Sequence, residues 1–479
     1  MPELTKIQTG LLDAQGPFHI EDGHNGAPGI AFEGDTDTGL TRSADGEISV
    51  VSNATTRFKT NTNSLHVDFD HPVIQPTLNF DFANTKALDP RINFRRDSIA
   101  TYVGADGLIK TAGVGEPRFD HDPLTGECLG LLMERGRTNV LGNSQNLTDN
   151  NGNDWDNVNG VIATNQTTAP DGTTTAASFT ASAGNAEHSV VFAELVPQGS
   201  VSVSIWIKPN TYSIVSFVLY GEANSTVSYN LSTKTVYNQL SNVSAASITE
   251  YPNGWYRIVA TMNCSVANSR VFRLFAGTGN FSASGTESFY YWGPQLESGS
   301  YATSYIPTTE SNVSVTRGQD HADMFDSNIS SWFNESGGTI TFDFNPKQYV
   351  PTTDGARLFK FDNSNIAGDT RIDYVISTSG SYQPYLAYGG SSYYGGASSI
   401  GFTKDTEFKI ALTIKENDIV GYINGSQSLN DTTMTMFMPN RFLIGSNGPN
   451  GGSSVNGYIR NMKYYSRRLS NDYLSYITS

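Results

Sequence analysis

The sequence is short of cysteine and of positive charge. Only 2 of its 479 residues are cysteines, Cys128 and Cys264, so we expect no disulfide framework and a chain that folds in a reducing cytoplasm. Lysine and arginine number 30 against 46 aspartates and glutamates, a formal net charge of −16. Because phosphate binding needs a cationic face, this balance argues against a nucleic-acid partner and leaves recognition to short-range contacts.

Long apolar runs and helical repeats are also missing. No stretch is long enough to cross a bilayer, and no apolar run follows the first residues, so we expect neither membrane insertion nor a secretory signal. No segment of helical length keeps an apolar period of 3.6 residues. The chain is instead rich in glycine (46), tyrosine (24) and phenylalanine (25), a composition typical of short strands joined by many turns.

Alternating apolar and polar residues predict an all-β chain. The apolar positions of two runs recur at every second residue: Val201, Val203, Ile205 and Ile207 in one, and Ile340, Phe342 and Phe344 in the other. A single core stops growing well below this length. We therefore predict two tandem β-sandwiches, residues 141–309 and 310–479. Residues 71–140 are predicted to be leading strands and loops of the first sandwich.

Local signals mark the ends of several predicted strands. An aromatic run at 289–292 predicts the closing strand of the first sandwich, ending at Gly293-Pro294. Asn424-Gly425 predicts a two-residue hairpin turn, and Ser470 predicts the start of a short terminal helix.

Residues 1–70 form a thin β segment. Ile30 and Phe32, and later Ile48 and Val50, alternate with small or polar residues. These apolar residues are too few to enclose a core in one chain, and isolated hairpins are marginal in water. We expect the segment to become stable by association with copies of itself. The alternative is a β-meander that packs on the next domain.

Several stretches resemble bacteriophage proteins. PGIAFEGDTDTGLTRSADGEISVVSNATTRF resembles a unit of phage fibre shafts and attachment regions, in which three chains wrap around one axis. The run LDPRINFRRDSIATYVGADGLIKTAGVGEPRF and the aromatic strand with its Gln-Leu-Glu and Ser-Tyr-Ile-Pro-Thr resemble jelly-roll modules of tail-fibre and adhesin proteins, which have the fold of carbohydrate-binding modules. The 418–425 hairpin and the terminal Tyr-x-Arg-x-Leu-Ser are similar to laminin-G/concanavalin-A-like lectin domains.

The resemblance implies a function as well as a fold. It implies a homotrimeric tail fibre or receptor-binding adhesin, located in the virion and assembled in the host cytoplasm. Its N-terminal segment would bind other phage tail or virion proteins, and its sandwiches would bind host surface polysaccharide or lipopolysaccharide without catalysis. No cofactor is implied, and the presence of a structural Ca²⁺ ion is left open. One alternative is a structural head- or collar-fibre spacer.

Tyrosines between glycines are the candidate glycan contacts. They lie in residues 380–396, and they are Tyr382, Tyr385, Tyr388, Tyr393 and Tyr394. A tyrosine offers a flat apolar face to a sugar ring and a hydroxyl to its edge, and neighbouring glycines let a ligand approach the backbone. The alternative is that these tyrosines pack inward on a strand.

Two short clusters could hold a metal ion. Alternation places His66, Asp68 and Asp70 on one strand face, where a threefold axis would bring copies together. Asp120-His121-Asp122 offers similar ligands. A solvated strand face is the alternative for both, because neither supplies a complete ligand set in one chain.

A glycan hydrolase or lyase is the remaining alternative. It needs two carboxyl groups across a glycosidic bond. The candidates are Glu194, Glu222, Glu287, Glu297 and Asp369. Sequence spacing does not pair them, and no nucleophile, phosphate-loop or zinc motif is present, so we expect no catalysis.

Overall fold

A computed structural model describes most of the chain beyond residue 21. The described ranges are 22–32, 34–42, 44–52, 54–60, 65–67, 74–147, 155–192, 196–267, 271–347, 355–377, 381–394, 401, 403–448 and 454–479. The protein is all-β, with about 53% of residues in strands and 5% in helices. It divides into two units, Met1–Gln75 and Pro76–Ser479.

The first unit is built on one antiparallel sheet. Its strands are β1 (Gly23–His24), β2 (Ala27–Pro28), β3 (Ile30–Phe32), β4 (Asp35–Thr41), β5 (Ile48–Ser52), β6 (Thr55–Thr60) and β7 (Leu65–Val67). Strands β3 to β7 pair in sequence order, and β1 pairs with β2. Short strands joined by tight turns give this order, because each strand finds its nearest neighbour in sequence.

A leading segment opens the second unit. Its elements are β8 (Leu78–Asp81), α1 (Phe82–Thr85), β9 (Asn93–Arg95), β10 (Ala100–Val103), β11 (Ile109–Ala112), β12 (Phe119–His121), β13 (Cys128–Met133) and β14 (Arg137–Asn139). The Asp81 side chain accepts a hydrogen bond from the Asn84 backbone N–H and so caps α1.

The middle sandwich contains fourteen strands in the described part of the chain. They are β15 (Trp155–Val158), β16 (Gly160–Thr167), β17 (Ala176–Ala181), β18 (Gly184–Ala186), β19 (Ser189–Phe192), β20 (Gly199–Pro209), β21 (Ile214–Tyr220), β22 (Thr226–Asn230), β23 (Thr235–Tyr237), β24 (Val243–Tyr251), β25 (Trp255–Cys264), β26 (Val271–Ala276), β27 (Phe281–Ala283) and β28 (Ser288–Ser298). Two six-stranded sheets, β15-β19-β26-β21-β22-β23 and β16-β17-β28-β20-β25-β24, enclose its core. A 3-10 turn, Pro252–Gly254, joins β24 to β25.

The aromatic strand β28 does not end where the sequence predicts. It continues through Gly293 and Pro294 to Ser298, so the predicted end is wrong. The pairing of β28 with β20 shifts here, so that Gly293 and Pro294 together lie opposite Ile205. A β-bulge of this kind leaves one residue outside the hydrogen-bond ladder. Proline, which has no backbone N–H to donate, is therefore tolerated within this strand.

The C-terminal sandwich follows. Its elements are β29 (Val315–Arg317), β30 (His321–Phe325), α2 (Ser327–Ser330), β31 (Gly338–Pro346), β32 (Ala356–Asp362), β33 (Arg371–Ile376), β34 (Tyr382–Tyr388), β35 (Ser391–Tyr394), β36 (Phe408–Ile414), β37 (Ile419–Ile423), β38 (Ser426–Asp431), β39 (Arg441–Ile444), β40 (Gly457–Tyr465) and α3 (Asn471–Thr478). The Asn424-Gly425 turn joins β37 to β38, and the Ser470 side chain caps α3, as the sequence predicts.

Most strands of the leading segment belong to this C-terminal sandwich. One sheet has the order β12-β13-β40-β31-β36-β37-β38, with β8 also paired to β40, and the other has the order β35-β34-β33-β32-β39-β30-β9. The grouping of residues 71–140 with the middle sandwich is thereby corrected. The β10–β11 hairpin packs on the middle sandwich, where Val103 and Ile109 join a cluster around Trp206, and Asn139 of β14 accepts a hydrogen bond from the Leu296 N–H of β28.

The two cysteines lie in different sandwiches. Cys128 and Cys264 are both buried and are not joined by a disulfide bond. In the part of the chain that the structure describes, no helix is long and apolar enough to span a bilayer.

Candidate functional site

Strand alternation separates the predicted tyrosines of β34. Tyr382, Pro384 and Leu386 point into the C-terminal core, and Tyr388 packs partly against it. The Tyr382 side chain is fully buried, with its ring centroid 4.4 Å from that of Phe408. Burial also raises the pKa of its hydroxyl far above the ordinary value. Tyr382 is therefore a core residue, as in the alternative interpretation.

Tyr385 has the opposite orientation and is half-buried at the outer face of the sheet. The Arg371 guanidinium lies 4.1 Å from the centre of its ring. Its hydroxyl donates to Asp369 Oδ2 at 3.4 Å and lies 2.8 Å from Ser392 Oγ. Asp369 also forms a 3.2 Å ion pair with Arg371. We call Asp369, Arg371, Tyr385 and Ser392 the Tyr385 surface.

Glycines form the turn beside the Tyr385 surface. Gly389 and Gly390 join β34 to β35 with φ values of 57° and 86°, a left-handed conformation that favours glycine. Gly368 lies against this turn so closely that a Cβ atom on it would be 2.5 Å from the Gly389 carbonyl carbon. At this end of β34 the Gly368 backbone therefore lies directly against the backbone of the Gly389-Gly390 turn, with no side chain between them.

The remaining tyrosines lie on β35. Backbone pairing places Tyr394 opposite Tyr385 and Tyr393 opposite Leu386. The side chains of both tyrosines lie outside the described residues. Their contact with a glycan, like that of Tyr385 and Tyr388, stays a prediction.

The first metal cluster falls largely outside the described chain. His66 lies in β7, with its side chain not described, and Asp68 and Asp70 lie outside the described residues. Across the ranges that are described, no group of three histidine, cysteine or acidic residues is placed to hold a metal ion.

Asp120 and His121 of the second cluster hold structural hydrogen bonds. Both are buried at the end of β12. Asp120 accepts from the Val103 backbone N–H at 2.5 Å and from the Tyr458 hydroxyl at 2.7 Å. Burial raises the pKa of Asp120 despite these bonds. Asp122 accepts from backbone N–H groups of its own turn instead, the nearest at 2.8 Å.

The candidate catalytic carboxyls are held by local bonds. Buried Glu297 accepts hydrogen bonds from Thr303. Half-buried Glu287 accepts hydrogen bonds from the backbone N–H groups of residues 284–286, which help to lower its pKa to about 2. Glu222 accepts from Ser265. Glu194 lies outside the described residues, and Asp369 belongs to the Tyr385 surface.

Arg371 is a residue of the Tyr385 surface that the sequence alone does not reveal. The spacing of Arg371 from Asp369 also occurs at Arg91 and Asp89, and nothing in it shows that Arg371 covers a tyrosine on the neighbouring strand. The signal is the pairing of β33 with β34, which sets Arg371 opposite Ala387, two positions from Tyr385.

Comparisons with known proteins give a limited result. No protein-family model matches the chain, and neither does any curated protein. Domain 4 of AbnA, a GH43 extracellular arabinanase from Geobacillus stearothermophilus solved with arabinotriose, is 15% identical over 34% of this chain and 73% of its own, with a TM-score of 0.28. The CBM40 of the Ruminococcus gnavus IT-sialidase, solved with alpha2,3 sialyllactose, is 16% identical over 32% of this chain and 91% of its own, with a TM-score of 0.26. A heptameric SAP-like pentraxin from Limulus polyphemus is 15% identical over 30% of this chain and 70% of its own, with a TM-score of 0.23. Similarities at this level carry no conclusion about function.

Proposed function

We propose that this protein binds glycans without catalysis and that the Tyr385 surface is a contact site. The observation that carries the proposal is the orientation of Tyr385, whose ring is held at the sheet surface by Arg371 and whose hydroxyl is oriented by Asp369 and Ser392. An aromatic ring offers a sugar its apolar face, while a guanidinium and a carboxylate serve its hydroxyls.

The arrangement favours binding over bond cleavage. Inverting and retaining glycosidases need two carboxyl groups on either side of the bond. Asp369 is ion-paired with Arg371, and the second carboxyl near Arg371, that of Asp373, is fully buried and ion-paired with Arg357. The Tyr385 surface therefore suits recognition of a sugar that leaves unchanged.

We further propose that the chain is a homotrimeric phage fibre protein. In this proposal it is located in the virion, and its first unit binds other virion proteins and two further copies of this chain. An apolar row across the sheet of the first unit supports association. Cross-strand pairing aligns Ile30, Leu40, Val50 and Phe58 on neighbouring strands. The first three remain 45%, 40% and 38% exposed, and on β5 Ile48, two positions before Val50, is 56% exposed.

A second copy of this chain is the partner that fits this apolar row best. Residues directly opposite in an antiparallel pair share a face, so the row is continuous across four strands. A continuous exposed apolar patch is unusual on a monomer and marks an interaction surface. Symmetric copies of one chain are the commonest way to cover such a face, and the number three is the one that the fibre resemblance implies.

Three copies would strengthen a weak glycan site. A second contact made by the same assembly is intramolecular, so overall affinity rises by ~10²–10⁴ without any new contact type. A shallow, weak site such as the Tyr385 surface can therefore give tight overall binding when three copies of it are joined in one assembly.

The test is binding of the full chain to an array of bacterial lipopolysaccharides and capsular polysaccharides. We expect retention on at least one polysaccharide with no change in its chain length. Tyr385→Ala should weaken retention about tenfold or more, which corresponds to ~1.4 kcal/mol. Tyr476→Ala, which removes another exposed tyrosine, should not. Shortened polysaccharide would favour a hydrolase or lyase, and silence from a folded protein would favour a structural spacer.

A further inference from the structure

The outer face of the middle sandwich carries an exposed tyrosine. Tyr220 is the last residue of β21, in the sheet β15-β19-β26-β21-β22-β23, and it is 47% exposed. Its neighbour Leu219 lies in the core, so strand alternation turns Tyr220 away from the core. Nearly half of the surface of this residue is therefore open to a partner in solution.

An arginine stacks on this tyrosine. Arg273 lies on the neighbouring strand β26, opposite Val218 and thus two positions from Tyr220. Its own neighbours, Phe272 and Leu274, lie in the core, so Arg273 shares the outer face with Tyr220. The guanidinium carbon is 3.8 Å from the centre of the tyrosine ring. A cation stacked on one face of a ring holds that ring in place.

A carboxylate lies beside the arginine. Half-buried Glu187 comes from the turn between β18 and β19, and its Oε2 is 3.7 Å from Arg273 Nη1. This separation is too long for a hydrogen bond, so Glu187 leaves the Nη1 protons free to bind hydroxyl groups. We call Tyr220, Arg273 and Glu187 the Tyr220 surface.

The Tyr220 surface repeats the chemistry of the Tyr385 surface. In both, an arginine on the neighbouring strand lies two positions from the tyrosine, stacks on its ring and faces a carboxylate. A third arginine–tyrosine stack among the described residues, that of Arg137 on Tyr301, is buried. Across the described ranges, a solvent-accessible stack of this kind therefore occurs once on each sandwich. Two sites with the same side-chain chemistry suit the same chemical groups.

The charges of both surfaces are balanced. Arg273 is matched by Glu187, and Arg371 is matched by Asp369. A charged sugar of either sign would meet an ion of its own sign at each surface. Hydroxyl groups fit better, because they accept from a guanidinium and donate to a carboxylate. The two surfaces therefore favour a neutral sugar.

We infer that the Tyr220 surface is a second glycan site and that both surfaces bind one neutral polysaccharide built from a repeating unit. The inference rests on the proposed function, because the Tyr385 surface supplies the first contact. A repeating polymer offers the same unit to both sites. Its second contact with one chain is intramolecular, which raises overall affinity by ~10²–10⁴. A ligand of a single sugar unit cannot gain in this way.

The test uses the array of bacterial lipopolysaccharides and capsular polysaccharides, with neutral and acidic polysaccharides both present. The full-length variants are Tyr220→Ala, Tyr385→Ala and the two combined. Tyr220→Phe keeps the ring on Arg273 and removes the hydroxyl. Tyr476→Ala removes another exposed tyrosine and is the matched control.

We expect wild-type retention on at least one neutral polysaccharide. Tyr220→Ala should weaken it about tenfold or more, as truncation of an aromatic contact residue does. The double variant should lose more than either single variant, Tyr220→Phe should lose less than Tyr220→Ala, and Tyr476→Ala should lose nothing.

The outcomes separate this inference from the proposed function. Wild-type retention by folded Tyr220→Ala, together with a loss in Tyr385→Ala, would overturn the second site and leave the proposed function standing. Retention on acidic polysaccharides alone would overturn the neutral class. Failure of the folded wild type to bind any polysaccharide would overturn both.

Discussion

Arg118 donates a 2.6 Å hydrogen bond to the Asp320 carboxylate, joining two fully buried residues that lie 202 positions apart. Arg118 also bonds Glu134 at 2.8 Å, and Arg96 bonds the other Asp320 oxygen at 3.0 Å. Arg317 lies 3.5 Å from Glu134. Three arginines and two carboxylates thus connect the leading segment to the start of the C-terminal sandwich.

Removal of the Glu134 carboxylate should lower the stability of the fold strongly. Glu134→Ala leaves three buried arginines with one carboxylate, and breaking a buried ion cluster in this way costs ~3–5 kcal/mol. The measurement is urea unfolding of the full chain at pH 7. Glu250→Ala, which breaks the largely exposed 2.6 Å pair with Lys234, is the control and should cost less than ~1 kcal/mol. Similar losses in the two variants would contradict this view of the cluster.

The same carboxylate should make the fold sensitive to acid. Burial alone would raise the pKa of Glu134, but Arg317, Arg118 and Ser304 outweigh it and lower the pKa from 4.5 to about 2. A depressed pKa in the folded state stabilises above pH 4.5, and this contribution is lost as pH falls toward 2. The loss is about 3 kcal/mol.

Unfolding at a series of pH values measures that loss. The free-energy difference between wild type and Glu134→Gln should be full at pH 7 and should shrink steadily between pH 4.5 and pH 2. A difference that stays constant over this interval would show that Glu134 is not the titrating group.

Asp343 should show the opposite dependence. It lies on β31, where burial and then the nearby Glu407 raise its pKa from 3.8 to about 6. Between these values it ionises in the unfolded chain but not in the folded one, so stability falls as pH rises from 3.8 to 6. Asp343→Asn should therefore raise stability at pH 7.5 by about 1–3 kcal/mol and leave it unchanged below pH 3.8.

The check is the denaturation midpoint at pH 7.5 and at pH 3.5. Glu335→Gln removes an exposed carboxyl and serves as the control. Destabilisation of Asp343→Asn at pH 7.5 would mean that the ionised carboxylate makes favourable bonds with Lys409 or Lys463.

The sequence predicts those parts of the fold that depend on neighbouring residues. Period-two alternation locates β20 and β31, and the Asn424-Gly425 turn and the Ser470 cap follow from local backbone preferences. Strand pairs whose members are distant in sequence have no comparable local signal. Strand β13 pairs Leu131 with Ile459, and alternation alone cannot show that the leading segment completes the C-terminal sheet.

The candidate sites, too, are predictable only where they depend on residues close in sequence. Alternation could have separated Tyr382 from Tyr385, because they differ by an odd number of positions, whereas Arg371 over Tyr385 depends on which strands pair. The cluster around Trp206 likewise brings together residues distant in sequence, among them Val103 and Tyr305. The even positions of β20, Ser202, Ser204 and Trp206, are also buried, although the pattern predicts only one buried face.

A charge in the apolar row of the first unit should separate the assembly. Val50→Asp places a carboxylate between Leu40 and Phe58, where burial against a second chain would leave it unpaired. We expect a fall from three chain masses to one in sedimentation velocity at micromolar concentration. Val161→Asp, at an exposed position of the middle sandwich, should keep the wild-type mass.

Multivalent glycan binding depends on how many chains the assembly holds. Light scattering of the full chain at micromolar concentration measures this directly. The proposed fibre predicts three chain masses. A single chain mass from a folded sample would contradict it, because the row from Ile30 to Phe58 would then be stable without a neighbouring copy.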